Sequence, residues 1–335
     1  MTTVGVDYLT LTDWASRKDP DGGVAAIIEQ LALRNPILQD MPFIEGNLPT
    51  GHKTTIRTGL PSATWRMLNY GVANSKARTA QVTDTTGMLE AFSDIDKSLI
   101  TLNGNSKEFR ASEDMAFLQA MNNEVAETLF YGNTDTDPEK FLGLSPRYSV
   151  ISTDSSESGY NIIDGAGSDS DNASIWLVVW GPQTCHGIFP KGSKVGLTHT
   201  DLGEQILYDA SGNKYMGVSS HFKWDIGLTV RDWRYVVRIA NIDVSDLHID
   251  GTTGDSENLS DLMTQALEQP PDLEAGRPVF YCGKKIRTWL RRQATSKSNV
   301  NLTLDDYMGR KVVSFDGVPV QKCESLTVAE EHVTT

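Results

Sequence analysis

The sequence predicts a mixed α+β fold. Three observations carry this. Between Glu45 and Asp84 there is no acidic residue, only a polar, basic, Gly-punctuated stretch; apolar residues then recur at helical spacing from about 106 to 131; and from Ile175 onward short apolar runs alternate with turn residues.

Residues 1–20 are polar and acidic, with Tyr8, Leu9, Leu11 and Trp14 as anchors. A short helix is expected next, capped by Asp21, with Val24, Ile27, Ile28 and Leu31 on one stripe and Asn35-Pro36 ending it. The acid-free stretch follows, carrying Lys53, Arg57, Arg66, Lys76 and Arg78. It is too poor in apolar residues to build its own core. It is expected as two strands of an extended hairpin with a mobile tip around 59–71. A basic segment in a chain of net charge −14 finds its nearest acidic surface on another copy. Leu60, Trp65, Met67 and Leu68 cluster near the tip, and a tryptophan there suits a pocket elsewhere. A hairpin folded back on its own domain is the competing reading.

Residues 80–102 are expected as extended. The longest helix starts at Asn105 or Ser106, with Glu108 placed as in a capping box, and stops at Gly132. Its apolar side reads Phe109, Ala116, Phe117, Ala120, Met121, Val125, Leu129 and Phe130, and its length is roughly 40 Å. Strands are expected at Arg147–Ile151, Ile175–Trp180, Lys194–Leu197, Gln205–Tyr208, Tyr215–Phe222, Gly227–Arg231, Tyr235–Ile242 and Val279–Cys282. Residues 152–173 read as a surface loop and Asp209–Asn213 as a hairpin turn. Helices are expected at Leu259–Glu268 and Lys284–Gln293. A terminal hairpin, Val312–Phe315 with Val318–Cys323, turns at Asp316-Gly317.

The 335 residues, 39% hydrophobic and 22% charged, suffice for one large or two ordinary domains. The acidic balance argues against a protein whose main task is gripping nucleic acid. No secretory start and no apolar run of membrane-spanning length stand in the sequence, so a cytoplasmic origin is expected. Cys185, Cys282 and Cys323 are too few and scattered for a disulfide framework or a zinc site.

Catalytic signals are weak. There is no GxSxG, HExxH or P-loop, and no cofactor is expected. Cys185-His186 is an adjacent nucleophile and base, but neighbours on a strand point to opposite faces. The six histidines lack metal-ligand spacing, and Asp164, Asp169, Asp171 and Asn172 lack the order of a calcium loop. Lys284, Lys285, Arg287, Arg291 and Arg292 read first as a solvated helix and second as a phosphate contact.

The order of segments and five stretches carry a resemblance. The stretches are RTGLPSATWRMLNYGV (57–72), AQVTDTTGMLEAFSDIDK (80–97), LFYGNTDTDPEKFLGL (129–144), SIWLVVWGPQTCHGIFPKGSKVGL (174–197) and WDIGLTVRDWRYVVRIANIDVSDL (224–247). From about residue 20 to 325 the chain resembles the major capsid proteins of short-tailed bacteriophages, with the HK97-like fold.

The resemblance implies an N-terminal arm (1–45), an E-loop hairpin (46–85), a peripheral domain (86–160) with a spine helix at 106–131, a mixed peripheral and axial region (161–300), and a C-terminal hairpin (301–335). It also implies pentamers and hexamers in an icosahedral shell around double-stranded DNA, assembled in the bacterial cytoplasm. Implied partners are a separate scaffolding protein, a portal, a decoration or cement protein, and DNA held without sequence preference; neither a membrane nor catalysis is implied. One departure is that 224–242 resembles a peripheral strand region, yet precedes helices that look axial. The expected interface sets Lys53, Arg57, Trp65, Arg66, Lys76 and Arg78 of one copy against Glu113, Asp114 or Glu127 of the next. A tail-tube subunit and an enzyme using Cys185 or the 164–172 loop are the alternatives.

Overall fold

Hydrophobic patterning builds most of the expected elements. The computed structural model describes residues 35–101, 106–168, 170–209, 211–245, 247, 259–295, 302–307 and 310–334. The expected helix capped by Asp21, most of the N-terminal arm and the Asn105 cap lie outside them. In chain order the elements begin with α1 (Ile37–Asp40), β1 (Phe43–Glu45), β2 (Gly51–Gly59), β3 (Arg78–Asp96), α2 (Lys97–Thr101) and α3 (Ser106–Tyr131). Next come β4 (Ile162–Asp164), β5 (Asn172–Trp180), β6 (Cys185–Phe189), β7 (Thr198–Tyr208), β8 (Lys214–Val230) and β9 (Val236–Asp243). The chain continues through α4 (Leu259–Glu268), β10 (Arg277–Cys282), α5 (Lys284–Thr295), β11 (Leu302–Tyr307), β12 (Arg310–Phe315) and β13 (Val318–Lys322).

These elements form two units. The larger takes residues 35–87, 126–193 and 226–334, the smaller 88–125 and 194–225. The units interleave along the sequence.

In the larger unit β5 is central, and all nine of its residues are buried. It pairs antiparallel with β10 on one side and β9 on the other. β13 lies parallel to β10, followed by β12 and β11 antiparallel, while β4 is parallel to β9. Ile175 and Leu177 of β5 share a core with α4 and α5. There α4 buries Leu259, Leu262, Met263, Ala266 and Leu267, the i, i+3, i+4, i+7, i+8 stripe of a one-faced helix. Each of the leucines and Met263 stabilises by about 1.5–3 kcal/mol. The alternate residue Trp176 meets Phe130 and Tyr148 instead, at ring-centroid distances of 6.3 and 5.9 Å.

In the smaller unit Ile95, Leu99, Ile100 and Phe109 form a core joined by Val218. β7 and residues 214–223 of β8 make an antiparallel hairpin. Its turn matches expectation: the Asp209 N–H donates to the Asn213 carbonyl, and the Asp209 carboxylate accepts from the Ser211 and Asn213 N–H groups. Phe222 stacks on His199 at 4.7 Å and faces Phe117 at 6.3 Å. Asp201 receives a bidentate Arg110 at 2.9 and 2.5 Å.

Four local expectations are corrected. Residues 145–148 form a 3₁₀ turn rather than a strand, because Pro146 fits the first turn of a helix and gives no strand donor. Lys194–Leu197 is not a strand. Gly192 and Gly196 at φ +83° and +87° turn the backbone there, and pairing begins at Thr198. The two strands expected at 215–222 and 227–231 are one, β8. Gly227 does not interrupt it; the glycine admits Thr85, whose carbonyl oxygen would lie 2.7 Å from an added Cβ. In α3, which has the expected length, Ala116 and Ala120 are exposed rather than on the buried side, as are Met115 and Leu118.

Candidate assembly surface

The acid-free segment builds this surface. β2 and the first part of β3 pair antiparallel from Gly51↔Thr85 to Arg57↔Thr79, and the register shifts before Gly59↔Arg78. Side chains alternate on β2: Lys53, Thr55 and Arg57 are exposed, and Thr54 between them is buried. Asn47 holds the root, its side chain donating to the Lys53 carbonyl and accepting from the Lys53 N–H, both at 2.7 Å.

Residues 60–77 join the strands, and every one is exposed. The Ser75 hydroxyl donates to the Ser62 carbonyl at 2.9 Å, and the Tyr70 N–H donates to the Met67 carbonyl at 3.2 Å. Leu60, Trp65, Met67, Leu68, Tyr70 and Val72 all stand open, Trp65 completely. So many large apolar side chains on one projecting segment mark a site that buries against something. Arg66, Lys76 and Arg78 are exposed beside them. None of the five bases of the segment has a carboxylate partner among the described residues, whereas Arg147 below it is tied to the buried Asp84 at 2.7 Å.

The expected acidic counterparts differ in placement. Glu113 is only 8% exposed. Asp114 is half-buried and accepts a 3.4 Å hydrogen bond from the Ser220 hydroxyl. Glu127 is exposed. A helix that buries one side at Phe109, Glu113 and Met121 takes Glu113 inward with them, and the charge at 113 disguised this in the sequence.

The catalytic alternatives have a clear geometry. Cys185 and His186 lie on β6, both buried. Burial pushes the Cys185 thiol far above the usual thiol range. Burial first, then the neighbouring His52 and Arg231, hold the His186 imidazole down at about 4. At neutral pH the pair is a protonated thiol and a neutral ring, and burial works against the thiolate that a nucleophile requires. Asp164 is a loop staple, accepting from the Ala166 N–H at 3.1 Å and the Asn241 amide at 2.9 Å. Among the described residues no three His, Cys, Asp or Glu side chains are grouped to hold a metal.

The sequence and the fold both match known capsid proteins. The family model for major capsid protein GP7 matches residues 19–334. The chain belongs to the GP7 major capsid protein family. It is 37% identical to a chain in the cryo-EM structure of bacteriophage Epsilon15, over 100% of both chains, with a TM-score of 0.78. It also resembles the bacteriophage JBD30 capsid, at 10% identity over 89% of this chain and 93% of that one, with a TM-score of 0.50. No curated protein matches the sequence. This capsid protein therefore has the HK97-like fold and is a structural, shell-forming virion protein.

Proposed function

We propose that this capsid protein assembles as pentamers and hexamers into an icosahedral shell around double-stranded DNA. In this reading the acid-free hairpin of each copy reaches over its neighbour. The observation that carries it is the joining segment 60–77, fully exposed and apolar at six positions. Left in water in every copy it would be an aggregation hazard; covered by a neighbour it is an anchor. Trp65 is the centre of that anchor. Lys53, Arg57, Arg66, Lys76 and Arg78 set its register against acidic side chains of the adjacent copy, with Glu127 the accessible candidate on α3. Exposed ion pairs contribute about 0–1 kcal/mol each, so strength comes from the apolar tip and from repetition under closed symmetry.

The roles expected for each segment follow. Residues 1–45 serve as an arm, 46–85 as the E-loop, and 106–131 as the spine of a peripheral region. Axial contacts come from the region holding α4 and α5, and 301–335 return to the body. A scaffolding protein, a portal and a decoration protein complete the particle, which forms in the bacterial cytoplasm. Electron microscopy of the purified chain, alone and after co-expression with neighbouring virion genes, tests this. Closed polyhedral shells or five- and six-membered rings are expected, and a persistent monomer under every condition would overturn it.

A further inference from the structure

The chain has a second acid-free stretch. From Ala275 to Leu304 there is no Asp or Glu, while Arg277, Lys284, Lys285, Arg287, Arg291, Arg292 and Lys297 fall within it. Five of these bases lie on α5. At 100° per residue, Arg287, Arg291, Lys284, Arg292 and Lys285 occupy about 160° of the helix circumference in that order. Ile286 and Leu290, both fully buried, define the opposite side. The five bases therefore form one continuous cationic face. Lys284, Lys285, Arg291 and Arg292 are exposed, and Arg287 is half-buried. Seven residues, or about 10 Å of rise, separate Lys284 from Arg291 and Lys285 from Arg292.

Lys284 and Lys285 differ from several arginines of the same unit. Arg147, Arg238 and Arg277 each have a carboxylate, from Asp84, Glu330 and Asp40 at 2.7, 2.8 and 2.9 Å. Lys284 and Lys285 have none among the described residues. Arg292 instead lies over the Trp289 ring, 4.5 Å from its centroid, so an aromatic surface adjoins the charge. Solubility does not require concentrated positive charge on one helix of a protein of net charge −14, since its acids already supply it. Such a face suits a dense polyanion whose charges need no fixed register.

We infer that the exposed face of α5 is a contact for the phosphodiester backbone of nucleic acid, held without sequence preference by Lys284, Lys285, Arg291 and Arg292. This rests on the shell-forming reading only for the source of the nucleic acid, and it assigns this face of α5 to the lumen of the shell. The acidic remainder of the chain keeps the contact weak and reversible. Neutralising four phosphates gives a log K against log salt slope of about −3.6, a loss of about 100-fold between 50 and 200 mM salt.

The test is fluorescence anisotropy of a labelled 30-base-pair duplex of arbitrary sequence, titrated with the unassembled full-length chain over that salt range. The variant Lys284→Gln, Lys285→Gln, Arg291→Gln, Arg292→Gln is compared with the hairpin variant Lys53→Gln, Arg57→Gln, Lys76→Gln, Arg78→Gln. Circular dichroism and the urea midpoint check folding. Restoring Arg at 291 and 292 alone, with Lys284 and Lys285 left as Gln, guards against a fold effect by recovering about half the slope. The expected result is a slope near the four-phosphate value, lost in the helix variant and kept in the hairpin variant. A helix variant that binds the duplex like the wild type overturns the inference. If that same variant fails to form shells, α5 meets an acidic protein surface instead. Absence of shells from the wild-type chain would count against the shell-forming reading alone and leave the anisotropy result to stand by itself.

Discussion

The guanidinium of Arg238 and the carboxylate of Glu330 lie 2.8 Å apart, both almost wholly buried. Arg238 also donates to the Tyr148 carbonyl at 2.7 Å and the Ser174 hydroxyl oxygen at 3.1 Å, and it covers the Trp176 ring at 5.2 Å. Glu330 accepts from the Tyr131 hydroxyl at 2.6 Å and from the Ser174 hydroxyl. Strand β9, the end of α3 and the chain's last residues are thereby fastened at one point. The last residues are held along their length as well. The Glu330 N–H donates to the Asn172 carbonyl, and the Val333 N–H donates to the Asn241 side chain.

Removing one member of a buried ion pair strands the other, which costs about 3–5 kcal/mol. Arg238→Met and Glu330→Gln are each expected to lose that much in urea unfolding. The double variant is expected to lose less than the sum, because no uncompensated charge remains. Additive losses in the double-mutant cycle would show that the two groups do not interact.

The hairpin tip gives a different outcome. Trp65→Ala together with Arg57→Glu touches no buried contact, so a folded, soluble chain with an unchanged urea midpoint is expected. Shells are not expected, since the anchor is gone and one register charge is reversed. Shells of normal size and yield from this variant would refute the hairpin's role.

Acid should act at the root of the hairpin. The rings of His52 and His186 are 5.9 Å apart. Burial chiefly, with Arg231 adding to it, lowers both imidazoles, His186 to about 4. Asp84 opposes the shift at His52 and is itself bound to Arg147; Cys185 is a neutral thiol. Unfolded histidine titrates near 6.5. Below that pH the unfolded chain takes a proton that folded His186 refuses, so stability is full above about 6.5 and falls as pH drops toward 4. The loss from His186 is about 1–3 kcal/mol. His186→Phe should flatten the wild-type slope in that window, while carboxylate effects remain in both proteins. An unchanged slope would mean that His186 is protonated freely in the folded chain.

Elements set by strong periodicity were legible. The run from Ile175 to Trp180 announced the central strand, and the spacing of Leu259, Leu262, Met263, Ala266 and Leu267 gave α4 its bounds. The hairpin was legible from missing acids, because a basic stretch with no acidic partners of its own and too few apolar residues for a core has few other conformations. Tertiary effects were hidden. Glu113 looks solvated by its type, but the buried side of α3 includes it. Ala116 and Ala120 look buried by type and spacing, yet both are exposed. The Arg238–Glu330 pair spans 92 residues, and no local pattern signals a partner at that range. The bases of α5 were legible in the sequence as a solvated helix, and the burial of Ile286 and Leu290 leaves them together on the opposite side.

The turn between β12 and β13 isolates a backbone effect. Asp316 and Gly317 sit at φ +48° and +79°, two successive left-handed residues joining Phe315 to Val318. That is the two-residue hairpin turn whose twist matches its strands. An added Cβ at Gly317 meets nothing within 4 Å, so Gly317→Ala creates no clash and reports conformational cost alone. A loss of about 1 kcal/mol is expected. Asp316→Asn should be nearly neutral, because asparagine tolerates this region, and Asp316→Val should lose more, since a β-branched side chain does not. Urea midpoints for the three variants check the order. Equal losses at Asp316→Asn and Asp316→Val would mean that the aspartate carboxylate, not the backbone angle, holds the turn.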